Sequence, residues 1–330
     1  MPDLSPEKCF LRSVRIAARM LTRVLIAADV DTTLLDLLKE DGRFDVDYRP
    51  CRDEAELAAR IPGASILVSR HHNRIGPAVF AKAAALRVIV QGTSGLDNID
   101  SERAAAQGVR IIGVPGENAN AVAELVIGHL ISLTRTVPLY SGMVRRGEWI
   151  REDCSSRREL SGYRLGIVGI GRVGTRVSQL AGGFGMTVAA FDPYLTSDQI
   201  RERGASRIAT LYALLQQSDI LTLHVPLNAE TRGMIDRAAI GMLPPGAFVV
   251  NTSRGAVVDQ RELLAALQSG RLGGVAMDVF EAEPPVGIEW PRDERLILTP
   301  HVAGCSKEAK ESIARAVYRR ICDFIDTPHA

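Results

Sequence analysis

At 330 residues, 46% of them hydrophobic, the chain is long enough for two domains of ordinary size with packed cores. Its formal net charge of +1 argues against the concentrated basic field of a nucleic-acid or membrane-surface protein. No apolar run approaches the roughly 20 residues of a membrane span. The five cysteines (Cys9, Cys51, Cys154, Cys305 and Cys322) are scattered, with no CxxC pair. They read as free thiols of a reducing cytoplasm, with neither a disulfide framework nor a metal site.

Residues 1–19 mix Arg12, Arg15 and Arg19 with Asp3 and Glu7 and carry no long apolar core ahead of a cleavage site. They are expected to form a poorly ordered extension, with Met20 a candidate start. From there, short apolar strands alternate with helices. Strands are expected at 24–28, 44–48, 65–68, 88–91 and 109–112, and helices at 32–39, 54–60, 78–85 and 99–107. Repeated βα alternation implies a mainly parallel sheet covered on both faces, with ligands beyond the C-terminal strand ends. The loops 69–74, 92–98 and 113–120 therefore matter most. Residues 120–146 read as a long apolar helix that Pro138 should kink or break. It would either connect two domains and offer a surface to a partner subunit, or be a plain core helix. Residues 149–163 are polar and read as a linker.

The sequence LGIVGIGRVG (165–174) comes next. An apolar strand runs into Gly169-Ile170-Gly171-Arg172-Val173-Gly174. Helical residues follow, then a second apolar strand at 186–191 that ends in Asp192. This order fits a dinucleotide-binding βαβ unit. Gly169 allows the tight turn, Gly171 lets the backbone approach a pyrophosphate, and Gly174 lets helix and strand pack closely. The helix N-terminus offers N–H groups and a partial positive charge to the phosphates. Asp192, about 18 residues past the last glycine, is placed to accept hydrogen bonds from a ribose diol. A carboxylate there repels a 2′-phosphate, and Pro193 and Tyr194 bring no cation, so NAD(H) is expected over NADP(H).

Helices at 197–203, 211–217, 237–242 and 260–268 then alternate with strands at 220–223, 247–250, 274–277 and 296–298, and a last helix spans 307–325. Three polar residues lie just beyond three of these strands: Arg254, Glu283 and His301. In a parallel sheet they would converge on the side of the cofactor turn. Oxidation of an alcohol beside a carboxylate needs what they carry. The Arg254 fork can clamp a carboxylate at two points. His301 can take and return the hydroxyl proton. Glu283 can orient the imidazole and favour its charged form. Each residue type is usually structural or solvated when alone; the set, in one domain with a dinucleotide turn, is specific. His224 also follows a strand and is the rival base, ranked second because no acid accompanies it.

These pieces resemble the NAD-dependent D-2-hydroxyacid dehydrogenases, the family that includes D-3-phosphoglycerate dehydrogenase. The matching motifs, in the family's order, are QGTSGLDNID (91–100), VPGENANAVAEL (114–125), LGIVGIGRVG (165–174), HVPLNAETRGMID (224–236), NTSRGAVVD (251–259), MDVFEAEP (277–284) and LTPHVAG (298–304). The resemblance implies two Rossmann-like, doubly wound parallel-sheet α/β domains, the NAD-binding one inserted into a flavodoxin-like substrate domain. The boundaries expected are 20–120 plus 302–330 for substrate and 121–301, including the connecting helix, for NAD. It implies that Arg254 binds the substrate carboxylate and carbonyl, that Glu283 supports His301, and that His301 is the acid/base. The N–H groups of Thr93, Ser94 and Gly95 would hold the carboxylate from the substrate domain, and the two domains would close to exclude water. The cofactor candidates are Gly169, Gly171, Arg172, Val173, Gly174 and Asp192, with His224, Pro226, Thr252 and Asp278 at later strand ends. A homodimer built partly on the connecting helix is implied as well.

Two departures stand out. Ala121 occupies a place where many members carry Ser or Thr. The loop Arg70-His71-His72-Asn73-Arg74 only loosely resembles the phosphoglycerate enzymes, although Arg70 aligns with their phosphate-binding arginine after a small shift. Four potentially cationic residues in that loop suggest an anionic second group on the substrate, with 3-phosphoglycerate/phosphohydroxypyruvate as the leading pair. Glyoxylate or hydroxypyruvate reduction, and an NAD-sensing binding protein of the same fold, are the alternatives. The sequence stops soon after the closing helix, and no C-terminal regulatory domain is expected.

Overall fold

The computed structural model describes residues 21–93, 95–149 and 158–327. The expected N-terminal extension, most of the expected linker and Ser94 lie outside these residues. The chain divides into two compact units, one ending at Pro115 and resuming at Lys310, the other running Gly116–Ala309. These divisions fall five residues before and eight residues after the boundaries expected from the resemblance. Ala303 packs in the same apolar cluster as Val122, Ala123 and Val126, which ties the residues after the last strand to the second unit.

In chain order the first unit contains β1 (Thr22–Ile26), α1 (Thr32–Asp41), β2 (Phe44–Tyr48), α2 (Glu54–Arg60), β3 (Ile66–Ser69), α3 (Pro77–Phe80), β4 (Val88–Gln91), α4 (Ser101–Ala106) and β5 (Arg110–Gly113). The second contains α5 (Ala119–Thr134), α6 (Val137–Arg145), β6 (Arg164–Val168), α7 (Arg172–Gly183), β7 (Thr187–Phe191), α8 (Ser197–Glu202), β8 (Ser206–Arg207), α9 (Leu211–Gln217), β9 (Ile220–Leu223), α10 (Arg237–Met242), β10 (Ala247–Asn251), α11 (Gln260–Gln268), β11 (Leu272–Met277) and β12 (Leu296–Leu298). α12 (Lys307–Asp326) carries the chain back into the first unit.

The first unit's sheet has the order β2-β1-β3-β4-β5, all parallel, the flavodoxin-like arrangement. Successive side chains of a strand point to opposite faces. Leu25, Leu67 and Ile89 therefore meet Leu57 and Ile61 on one face, while Val24, Val68 and Val90 meet Leu34 and Leu38 of α1 on the other. That second face also needs Ala314, Val317 and Ile321 of α12. Burial of each large aliphatic side chain contributes about 1.5–3 kcal/mol, so the return of the chain completes a core. At the far end of α12, Tyr318 Oη donates to Asp41 at 2.7 Å, and Arg43 bridges Asp41 and Asp326 at 2.5 and 2.7 Å.

The second unit's sheet has the order β12-β11-β10-β9-β6-β7-β8, again all parallel. β6 to β11 follow the doubly wound dinucleotide-binding order, with the strand sequence reversing direction between β6 and β9. The two-residue β8 is absent from the sequence reading because it is exposed and has no apolar run.

The expected interruption near Pro138 falls just ahead of it. α5 ends at Thr134, Thr136 takes a left-handed φ of 47°, and Pro138 sits in the first turn of α6, where its missing N–H costs nothing. The two helices are bent by 64°. α5 is buried along much of its length, whereas α6 buries no residue. Among the described residues no single helix is long and apolar enough to cross a membrane.

Candidate active site

The glycine turn leaves β6 and enters α7. Gly169 has φ 83°, and a Cβ there would press on the His224 carbonyl and the Val225 side chain. A side chain at Gly174 would strike the Gly169 carbonyl, so helix and strand require this close approach. At Gly171 a Cβ would meet nothing. Gly171 is also the N-cap of α7 and makes no side-chain cap bond. The start of α7 thus lies beside open space at Gly171, and a helix N-terminus so placed suits a pyrophosphate. Val173 is half-buried in the first turn, and the Arg172 side chain lies over Gly116.

Asp192 follows β7. Its Oδ2 accepts from Ile170 N at 3.1 Å and its Oδ1 from Tyr194 N at 3.1 Å. These bonds fix the carboxylate at the tip of the glycine turn and leave lone pairs for a diol. Tyr194 Oη donates to Glu230, which adds a second carboxylate nearby. Arg203 donates to the Ile170 carbonyl at 3.2 Å, a cation at the turn that the local sequence around Asp192 did not reveal.

The strand ends of β9 and β10 continue this surface. His224 donates its N–H to Val168 O at 2.8 Å, and its Nε2 lies 3.0 Å from Thr222 Oγ1. The residue keeps some surface, but its ring is sunk among the strand ends, and desolvation pushes its pKa down to about 3. A ring held neutral in this way is a poor proton carrier. Pro226 is exposed, its carbonyl taken by Thr231 Oγ1 at 2.6 Å. Thr252 Oγ1 is buried with no hydrogen-bond partner among the described residues. An orphaned hydroxyl, an uncapped helix N-terminus and a positioned carboxylate on one strand-end surface fit a dinucleotide.

Arg254, Glu283 and His301 follow β10, β11 and β12, three adjacent parallel strands, so all three emerge at the edge that carries the glycine turn. Buried Asn251 builds the Arg254 turn. Its Oδ1 accepts from Ser253 N at 3.0 Å and Ser253 Oγ at 2.8 Å, and its Nδ2 donates to Arg254 O at 2.9 Å. Gly255 is required next, because a side chain would run into the Phe280 backbone. Arg254 Nη1 donates to Ser253 O at 2.7 Å. His301 Nδ1 lies 2.6 Å from Glu283 Oε2, and Glu283 Oε1 accepts from Phe280 N at 3.1 Å. Glu283 is therefore held at one oxygen by backbone and holds the imidazole at Nδ1 with the other.

Asp278 does more than line a strand end. It is fully buried, and its carboxylate accepts from Thr299 Oγ1 at 2.6 Å, Val302 N at 2.9 Å and Ala303 N at 2.8 Å. Its carbonyl accepts from His301 N at 2.8 Å. Four bonds from one residue thus pin the segment that holds His301 at φ 53°, a left-handed conformation rare outside glycine. Asp278 is expected among the cofactor candidates from its place after β11, and its clamp on the His301 segment is not legible in the sequence. The only signal was an acid at the end of an apolar run.

In the first unit a buried amide network organises the strand ends. Gln91 Oε1 accepts from Ser69 Oγ at 2.5 Å, and its Nε2 donates to Asn98 Oδ1 at 2.9 Å, Thr93 Oγ1 at 3.1 Å and Gly95 O at 3.2 Å. Asn98 reaches Asn73 O at 2.6 Å and Arg70 O at 3.1 Å, and Asn73 reaches Ala27 O at 3.1 Å. The loops after β1, β3 and β4 are thereby locked together. Of the four cations expected to act as a set, Arg74 turns to a carboxylate, while the two histidines stay beside each other and His72 stays close enough to Arg70 to feel its charge. Arg74 is 78% exposed and lies 3.4 Å from Glu54. The His71 and His72 rings meet edge to face, and burial, then Arg70, lowers the pKa of His72. Arg70 lines a cavity beside Gly92.

A Rossmann-ordered parallel sheet whose strand-end edge carries both the glycine turn and a histidine–carboxylate pair defines a dinucleotide-binding α/β protein built for proton as well as cofactor chemistry. Residues 127–303 match the model of the D-isomer specific 2-hydroxyacid dehydrogenase NAD-binding domain, and the chain belongs to that family. It is 32% identical over 301 residues to a D-3-phosphoglycerate dehydrogenase of Methanocaldococcus jannaschii, covering 91% of this chain and 57% of that one. It is 34% identical over 292 residues to an (S)-sulfolactate dehydrogenase of Chromohalobacter salexigens, covering 88% of this chain and 94% of that one. The fold is also similar to a glyoxylate reductase from Paecilomyes thermophila, with a TM-score of 0.84 at 25% identity, covering 93% of this chain and 96% of the other. The chain spans only about half the length of these D-3-phosphoglycerate dehydrogenases.

Proposed function

We propose that the chain catalyses reversible hydride transfer between NAD(H) and C2 of a D-2-hydroxy acid or its 2-keto acid. The observation that carries this reading is the 2.6 Å contact between His301 and Glu283 on the edge of the dinucleotide-binding sheet. NAD(H), when bound, supplies or accepts the hydride. His301 Nε2 takes the hydroxyl proton in oxidation and returns it in reduction, while Glu283 stabilises the imidazolium and fixes its orientation. Arg254 clamps the carboxylate and polarises the carbonyl. Thr93, Gly95 and Arg70 are the substrate contacts of the first unit in this reading. Gly169, Gly171, Arg172, Val173, Gly174, Asp192, His224, Pro226 and Thr252 line the cofactor side, with Asp278 buried behind them as the clamp of the His301 segment. Asp192 and Glu230 together favour NAD(H) over NADP(H) by repelling a 2′-phosphate.

3-Phosphoglycerate/phosphohydroxypyruvate is the leading substrate pair. A sulfonated three-carbon acid is the second, supported by the sulfolactate dehydrogenase relative that the chain matches along nearly its whole length. The uncovered face of α6, with Val137 and Val144 about half exposed, supports a homodimer. The free thiols of Cys51, Cys305 and Cys322 support a reducing cytoplasm. The test is NADH consumption with phosphohydroxypyruvate, sulfopyruvate, hydroxypyruvate, glyoxylate and pyruvate. Turnover of at least one keto acid, lost in His301→Ala, is expected. Tight NADH binding without turnover of any would favour the NAD-sensing alternative, and preference for glyoxylate or hydroxypyruvate would favour the small-acid reductase.

A further inference from the structure

The first unit has an open cavity of about 200 Å³ at the C-terminal ends of β1 and β3, walled on one side by α12. Its apolar lining comes from these strands and α12, and its polar lining is Asp29, Asp31, Thr32, Arg70 and Lys310, with the backbone of Gly92. Asp31 is the N-cap of the ten-residue α1 and accepts from Thr33 N at 3.0 Å and Thr33 Oγ1 at 2.6 Å. Its charge is thus spent on a helix N-terminus. Asp29 is exposed to water. Arg70 is less well satisfied. Its Nε is buried with no hydrogen-bond partner among the described residues, and its Nη1 reaches only Asp29 O, at 3.5 Å. Its stem lies against Gly92, where a Cβ would sit 3.4 Å from Arg70 Cγ. Lys310, in the first turns of α12, makes no ion pair among the described residues.

We propose that Lys310, arriving from α12, is a specificity-determining residue that meets the distal oxyanion of the substrate beside Arg70. The proposal rests on the hydroxyacid chemistry proposed above and deepens it. A planar carboxylate is satisfied by the two-point fork of one arginine. A phosphate or sulfonate has a further oxygen out of that plane, and a lysine ammonium arriving from another element can meet it as a point charge. Gly92 lines the cavity and opens the loop whose Thr93 and Gly95 would hold the substrate carboxylate, and that loop follows the strand end paired with the one that Arg70 follows. The second cation comes from α12, far along the chain, and not from the histidines or Arg74 of the Arg70 loop.

The test compares wild type, Lys310→Met and Lys310→Arg in NADH-dependent reduction of phosphohydroxypyruvate, sulfopyruvate and hydroxypyruvate. Lys310→Met keeps the aliphatic stem, and Lys310 is exposed, so folding should survive; thermal melts check this. The expected result is a KM increase for the two anionic substrates about tenfold larger than that for hydroxypyruvate, the worth of one charge-assisted contact. Lys310→Arg should recover most of it. Which anionic substrate shows the larger kcat/KM in wild type separates phosphate from sulfonate. Equal KM increases for all three substrates, or none, would overturn the proposal. If wild type reduces none of them, the proposed reaction fails, and the cavity is judged by calorimetric titration with inorganic phosphate and sulfate. Binding weakened about tenfold in Lys310→Met would uphold an oxyanion site; absent or unchanged binding would end it.

Discussion

The two units build their strand-end surfaces by opposite means. In the second, a fully buried carboxylate, Asp278, gathers three donors and holds the loop that presents His301. In the first, neutral amides perform the tying: Gln91, Asn98 and Asn73 link three loops without a buried charge. A buried carboxylate is tolerable only when several donors meet it, and then it holds its partners more stiffly than an amide can. Stiffness of that kind suits a proton carrier that must stay within a few tenths of an ångström of its task. Neutral amides cost less to bury and suit a surface that recognises rather than reacts. The comparison therefore predicts that damage in the second unit shows in kcat and damage in the first in KM.

The largest effect should come from His301→Ala, which is expected to lower kcat by roughly 10²- to 10⁴-fold with cofactor binding retained. Steady-state kinetics beside NADH fluorescence titration would reveal a near-normal kcat, and that would remove the proton role. Asp278→Asn comes next. An amide in place of the carboxylate leaves one of three donors facing an NH₂, at a cost of about 1–3 kcal/mol. A lower thermal midpoint and a fall in kcat of about tenfold or more are expected together. An unchanged midpoint would show that the clamp is not under tension.

Gln91→Ala should act in the other sense. Four hydrogen bonds are lost from a fully buried side chain, with KM for the keto acid rising about tenfold while kcat changes little. A kcat loss equal to that of Asp278→Asn would erase the distinction between the two surfaces. The smallest effect concerns stability alone. The Arg43 guanidinium, and then Tyr318, hold the Asp41 carboxyl down at about 2 against an ordinary 3.8. A group depressed in the folded state stabilises it above the unfolded value and loses that contribution as pH falls through the folded one. The stabilisation should therefore fade between about pH 4 and pH 2. Melts of Asp41→Asn and wild type are expected to converge across that window. Parallel curves would mean that the Asp41–Arg43–Tyr318 contact does not hold α12.

Much of this was open to reading along the chain. The apolar runs of β1, β3, β4, β6 and β9 announce themselves because both faces of a parallel sheet are covered and every position turns apolar. The glycine turn is legible for a different reason. Gly169 and Gly174 answer to contacts only a few residues away in a local βαβ unit, so spacing carries the information. Arg254, Glu283 and His301 could be picked out because each follows a recognisable strand and each carries a chemistry the reaction needs.

What tertiary structure decided lies wherever partners come from distant segments. Nothing near Asp278 in sequence says that its carboxylate will close on Thr299, Val302 and Ala303, and nothing near Gln91 says that Asn98 and Asn73 will join it. The Arg70 loop looked like a self-contained set of four cations. Packing instead turned Arg74 to Glu54, left the histidines against each other, and brought Lys310 of α12 to the Arg70 cavity. The sequence by itself determined the strands, the turn and the chemically able residues, since those follow from local periodicity and spacing. Only the folded chain decided which charges are spent on holding structure and which are left to meet a ligand, because that division depends on burial and on neighbours far away along the chain.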